Sequence, residues 1–169
     1  MKQKHLLKLL ICNSNRAFQS PIPFNLNWMM GWGKLKIFNT FLQSNKLNIF
    51  DIGARGGTIK ELENLKTHIN YFAFEPEKIE YNRILNNKPK GYNEYNVFLT
   101  AISDKNETAT FNILRAKGIS SLLLPDERCA NMCWGQRADI VKQFEIETTT
   151  LDSFIEKNNL KFPDYLKID

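Results

Sequence analysis

The feature that most constrains the fold is a buried strand that runs straight into a cluster of glycines. Leu47-Asn48-Ile49-Phe50-Asp51-Ile52 is a nearly continuous apolar run, and Gly53, Gly56 and Gly57 follow at once. A strand apolar on both faces belongs inside a sheet that is covered on both sides. Glycines at its carboxyl end let the backbone turn sharply and approach a ligand closely. A helix is expected from about Thr58, where Thr58 and Glu61 have capping-box spacing and Ile59, Leu62, Leu65 and Ile69 supply an apolar side.

The same texture continues downstream. Tyr71-Phe72-Ala73-Phe74-Glu75 reads as a second strand stopped by Pro76. A polar helix is expected over 77–86, burying Ile79, Ile84 and Leu85, and a third strand over 95–102. This β-α-β-α-β order implies a parallel sheet with right-handed crossovers. Thr108–Leu114 then alternates with period two, placing Ala109, Phe111 and Ile113 on one face, and 144–149 alternates as well. These two runs predict an antiparallel addition. A helix over Leu151–Lys157 and a buried strand over 165–169 complete the pattern. The expected fold class is α/β: a doubly wound, Rossmann-like sheet, incomplete, with an antiparallel β addition and an N-terminal helical extension.

That extension is residues 1–46, and the main domain is 47–169. The extension carries Ser20-Pro21-Ile22-Pro23, the cluster Trp28-Met29-Met30-Gly31-Trp32 and a helix expected over 35–43, and it reads as a segment packed on the main domain. No run approaches the ~18 apolar residues of a membrane span. The three cysteines, Cys12, Cys129 and Cys133, are too sparse for a disulfide framework, which points to a reducing, cytoplasmic setting. Cys129 and Cys133 would need two further ligands to hold zinc, and the two histidines, His5 and His68, are far away in sequence, so no metal site is expected. The net charge of +5 is too modest to identify an anionic partner, and no nucleic-acid signature accompanies it.

The chemistry is carried by three strand ends. Asp51-Ile52-Gly53-Ala54-Arg55-Gly56-Gly57 opens the first helix, at the edge where open α/β sheets bind ligands. A dinucleotide site would begin this turn with glycine and set a pyrophosphate over the helix start. Here Asp51 takes the place of that first glycine, and a carboxylate is a poor neighbour for pyrophosphate and a good one for a cation. S-adenosylmethionine carries an ammonium and a sulfonium and no phosphate. Glu75, at the tip of the second strand, suits both hydroxyls of a ribose, a property shared with NAD sites. Thr100-Ala101-Ile102-Ser103-Asp104 closes the third strand with small and apolar groups that could flank an adenine.

The ordered set Ile49-Phe50-Asp51-Ile52-Gly53-Ala54, Phe72-Ala73-Phe74-Glu75-Pro76 and Ala101-Ile102-Ser103-Asp104 resembles the FkbM family of methyltransferases. So do Ser120-Ser121-Leu122, Thr149-Thr150-Leu151-Asp152-Ser153-Phe154 and Leu166-Lys167-Ile168-Asp169. The resemblance covers 47–169 and implies a class I methyltransferase fold. It also implies S-adenosylmethionine as cofactor and a hydroxyl acceptor on a sugar, glycan or small natural product.

Cofactor contacts are expected from Asp51, Gly53, Ala54, Gly56, Glu75, Pro76, Ala101 and Ile102, with Asp51 on the methionine ammonium. Asp169 is the expected acid/base or orienting group, with an ammonium contact as its alternative. Two features depart from the family pattern. Arg55 stands where a small or polar residue is usual. The family also continues past Ile168-Asp169 with a Glu-Gly segment and further strands, so a truncated domain is expected. An inactive remnant and an NAD-type nucleotide-binding protein are the alternative readings.

Overall fold

The computed structural model describes residues 40–126, 128 and 130–168. Residues 40–44 are helical, so the end of the helix expected over 35–43 is present, while the Trp28–Trp32 cluster, Cys12, Cys129 and Asp169 lie outside the described residues. Four strands, β1 (Leu47–Ile52), β2 (Ile69–Phe74), β3 (Glu94–Phe98) and β7 (Tyr165–Ile168), form an all-parallel sheet in the order β3-β2-β1-β7. Three more, β4 (Ala101–Ile102), β5 (Thr108–Leu114) and β6 (Ile140–Thr149), form a second sheet in the order β4-β6-β5. In it β4 runs parallel to β6, and β5 runs antiparallel to β6. The doubly wound fold and its antiparallel addition are therefore both present.

The large sheet is covered on both faces, as its apolar strands require. On one side Ile49, Tyr71, Ala73 and Val97 pack with Leu42, Leu62 from the 3-10 helix Lys60–His68, and Ile84 from α1 (Lys78–Asn86). On the other side Phe50, Phe72 and Phe74 pack with Ile155 from α2 (Leu151–Lys157). Phe74 meets Phe98 and Phe154 at ring-centroid distances of 5.4 and 5.1 Å. Aromatic pairs of this kind add roughly 0.5–1.5 kcal/mol each beyond the area they bury. Strand order steps outward from β1 to β2 to β3 and then returns to β7 on the far side of β1. The order thus reverses at β1, and the crevice outside the carboxyl ends of the strands is where such sheets bind ligands.

Several expected elements differ from those observed. The helix after the glycines is 3-10, begins at Lys60, and has Ile59 as an N-cap with no side-chain cap, so the Thr58/Glu61 capping box does not form. Ile59, Leu62 and Leu65 recur every three residues and all pack against the core, which suits three residues per turn. Ile69, expected on that helix, is instead the first residue of β2. In α1, Ile84 is buried as expected, but Ile79 and Leu85 are 69% and 36% exposed, while Glu80 is buried. The Glu80 side chain faces the glycine turn, and that contact sets the rotation of the helix.

The third expected strand is two strands. The chain leaves the large sheet after Phe98, and Ala101 and Ile102 pair with Thr148 and Thr149 in the second sheet. Helix α2 has the bounds its sequence predicts, and the Thr150 hydroxyl caps it by accepting from the Ser153 N–H at 3.1 Å. Among the described residues, no helix is long and apolar enough to cross a membrane.

Candidate functional site

A cavity of about 710 Å³ opens at the carboxyl edge of the large sheet. Its lower wall comes from the strand ends: Ile52 and Gly53 after β1, and Phe74, Glu75 and Pro76 after β2. Its upper wall is Thr100–Ser103, Phe111 from β5, and the loop 117–123. Five of the expected cofactor residues, Gly53, Glu75, Pro76, Ala101 and Ile102, thus meet around one space. Asp51, Ala54 and Gly56 do not line it, and Asp169 is outside the described residues.

The glycine turn depends on conformation that other residues rarely adopt. Gly53 has φ 76°, and Gly56 and Gly57 have φ 92° and 101°. A Cβ at Gly56 or Gly57 would meet nothing within 4 Å, so the backbone angle, and not space, demands glycine at these two positions. The amides of the turn are engaged internally. Gly53 and Ala54 N–H donate to the Phe74 carbonyl at 3.0 and 3.1 Å, and Gly57 N–H donates to the Ala54 carbonyl at 3.1 Å. Gly56 N–H donates to Glu80 Oε1 at 3.1 Å. A pyrophosphate cradle needs such amides turned toward the ligand. Here four of them serve the fold.

Asp51 belongs to the opposite face of the sheet from the Phe50–Phe74 cluster. Its carboxylate has no solvent exposure. Oδ2 accepts the Tyr71 hydroxyl at 2.5 Å, and Oδ1 accepts Lys167 Nζ at 2.8 Å. Burial pushes the Tyr71 hydroxyl far above its ordinary titration range, and the Asp51 charge beside it adds to that. Both Asp51 oxygens thus have partners within the sheet, one of them the Lys167 ammonium. Ala54, expected at the cofactor, is likewise 1% exposed and part of the core.

Glu75 sits differently. It lines the cavity yet is only 2% exposed. Its Oε1 accepts the Glu77 N–H at 2.9 Å, and its own N–H donates to the Phe98 carbonyl at 3.0 Å. Burial pushes its carboxyl above the usual range, partly offset by the Glu77 N–H and the Arg55 charge. Arg55 pairs with the Glu77 carboxylate, and its other terminal nitrogen lies 4.0 Å from Glu80 Oε2. Glu80 in turn accepts two bonds from Arg83, at 2.9 and 2.5 Å. These bonds, with the Gly56 N–H and both arginine charges, outweigh its burial and hold its carboxyl at about 2. Sequence alone points to neither Glu77 nor Glu80, because Arg55 and Gly56, which tie them to the turn, lie 22 and 24 residues away.

The upper wall hangs on Asn112. This residue is 1% exposed, and its Nδ2 donates to the carbonyls of Ser121 and Leu123 at 3.2 and 3.3 Å. Its backbone exchanges two hydrogen bonds with Ser121, at 2.8 and 3.0 Å, and its Oδ1 accepts from Gln143 at 2.7 Å. Ser120 Oγ accepts the Leu114 N–H at 3.1 Å. A polar side chain in the middle of Phe111-Asn112-Ile113-Leu114 is a visible signal in the sequence. It explains why the end of β5 is buried on both faces and does not simply alternate.

The site thus combines a glycine turn whose amides are engaged internally with a buried acid at the next strand tip. A family model, the methyltransferase FkbM domain, matches residues 51–169. The chain belongs to the FkbM methyltransferase family. Neither a curated protein nor a solved structure matches it significantly. Membership makes this FkbM-family chain a methyltransferase, implies S-adenosylmethionine as the methyl donor, and sets aside the NAD alternative.

Proposed function

We propose that this chain methylates a hydroxyl oxygen on a sugar, glycan or small natural-product acceptor, with S-adenosylmethionine bound in the cavity over β1 and β2. The observation that carries the reading is Glu75, a buried carboxylate on the cavity wall with one oxygen held by the Glu77 N–H. Among the described residues its second oxygen accepts no hydrogen bond, which leaves it for ribose hydroxyls. Ala101, Ile102 and Phe74 give apolar walls that suit an adenine. Gly53 and Pro76 shape the floor between them. When bound, the cofactor supplies an electrophilic methyl group.

The protein's part is to orient the acceptor oxygen and accept its proton. Asp169 follows Ile168, the last residue of β7, in sequence, and we assign it that role or a contact to the methionine ammonium. Asp51, enclosed with Tyr71 and Lys167, acts indirectly by fixing the strand end from which the glycine turn departs.

Calorimetry with S-adenosylhomocysteine and with NAD, followed by labelled-methyl transfer to panels of sugar hydroxyls and amines, tests the reading. Binding of the homocysteine nucleoside and label on oxygen are expected. Label appearing only on nitrogen acceptors would refute the choice of acceptor, and tighter binding of NAD would refute the cofactor.

A further inference from the structure

Arg55 is the charged residue between the glycines of the turn, and its surroundings give it a task. Its guanidinium lines the cavity and pairs with the Glu77 carboxylate, with side-chain exposures of 22% and 6%. A pair this enclosed is not the solvated surface type that contributes little. Two residues earlier in the chain, Glu75 receives the Glu77 N–H on Oε1. The second tie between the same two segments runs from the Gly56 N–H to Glu80, itself braced by Arg83. The glycine turn and the segment 75–80 are thus clipped together at two points, Glu77 and Glu80.

We propose that Arg55 is a positioning residue for Glu75: by tying Glu77 to the glycine turn, it fixes the backbone N–H that aims the Glu75 carboxylate into the cavity. The assignment rests on Glu75 as the ribose acceptor. Charge works in the same direction as geometry. The charged groups that act on Glu75 are Arg55, Glu77, Glu80 and Arg83. Burial and the two glutamates favour the protonated form of Glu75, and Arg55 opposes them. A protonated Glu75 gives up one of its acceptor positions, so the arginine keeps the group able to accept two hydroxyls.

The test uses the full chain, with R55Q, R55M, R55K and E75Q. Carbon-13 NMR of the Glu75 carboxyl in the cofactor-free protein reads the coupling without any ligand. Glu75 is expected to titrate at higher pH in R55Q and near the wild-type position in R55K. S-adenosylhomocysteine affinity of R55Q should fall by about tenfold near pH 5, with a smaller loss near pH 8, as for a carboxyl that must ionise to bind.

An R55Q protein whose Glu75 titrates as in wild type, and whose binding has the wild-type pH profile, overturns the assignment. Should R55Q fail to fold, R55M decides by the same readout: a Glu75 titration unmoved from wild type counts against it. E75Q keeps the two readings apart. Undiminished binding by E75Q removes the ribose role, while the titration of Glu75 in R55Q still decides whether Arg55 governs that carboxyl.

Discussion

Lys167 stands directly opposite Asp51 across the β1–β7 ladder and closes a 2.8 Å ion pair on a carboxylate with no solvent exposure. The pair joins the last described strand to the first, on the face away from the aromatic cluster, and Tyr71 completes it from β2. Three neighbouring strands are therefore pinned through one carboxylate just below the cavity.

Removing one partner of such a pair leaves the other charge buried and unmatched. K167M should destabilise the protein by about 2–3 kcal/mol, toward the lower end for buried pairs because Lys167 is partly exposed. The double variant D51N/K167M should lose less than the sum of the single losses, and urea melts of all three variants measure the coupling.

Glu80 makes stability depend on acid. Its carboxyl titrates at about 2 in the folded chain against 4.5 ordinarily. A depressed carboxyl stabilises the fold above the ordinary value, and that contribution drains away as pH falls from about 4.5 toward 2. E80Q should cost about 1–2 kcal/mol at neutral pH, a figure reduced for the solvent around half-exposed Arg83. Thermal melts of E80Q and wild type should converge as the pH approaches 2, and a constant gap would place the effect elsewhere.

Glu75 has the opposite sign. Its carboxyl is raised by burial, so it favours the fold only below the ordinary carboxylate range, and that benefit is lost as pH rises through its folded value. At neutral pH the ionised group burdens the cofactor-free protein. E75Q should therefore melt higher than wild type at neutral pH, with the difference closing in acid. The same variant should bind S-adenosylhomocysteine more weakly by about 2 kcal/mol, the scale of a hydrogen bond to a charged group. An E75Q protein that melts lower than wild type at neutral pH counts against a burial-strained carboxylate.

Asn112 should control the upper wall. N112A removes the Nδ2 bonds to Ser121 and Leu123 and leaves the Leu123 carbonyl and Gln143 without that partner, while the Ser121 carbonyl keeps the backbone N–H of residue 112. A loss of about 1–3 kcal/mol is expected. Hydrogen exchange at the Ser121 and Leu114 amides should accelerate more than at β1 amides. Equal acceleration everywhere would mean global destabilisation and no special hold on the loop.

Strand β1 and helix α2 are legible residue for residue, since each carries its signals within its own span: an apolar run ended by glycines, and a threonine cap before an amphipathic turn. The floor of the site is legible for the same reason, because Gly53 and Glu75 each directly follow a readable strand. Asp51 is legible as a special residue, and its partners are not. Whether a strand-end carboxylate faces a ligand or its own sheet depends on Lys167, 116 residues away, whose pairing no local pattern reveals. Glu77 and Glu80 are hidden likewise, since a helix-start glutamate is ordinarily solvated and these two are engaged by Arg55 and the Gly56 N–H from a distant turn.

The short strand β4 has a consequence for how such an enzyme diversifies. After Phe98 the chain passes from the large sheet to the second one within two residues. The floor with Glu75 is thereby anchored in one sheet, and the roof, from Ala101 through loop 117–123, in the other. Substitutions in β5, its loop or β6 can reshape the roof while the floor keeps its hydrogen bonds. The loop 117–123 can therefore vary without disturbing the hydrogen bonds on which the Glu75 floor rests.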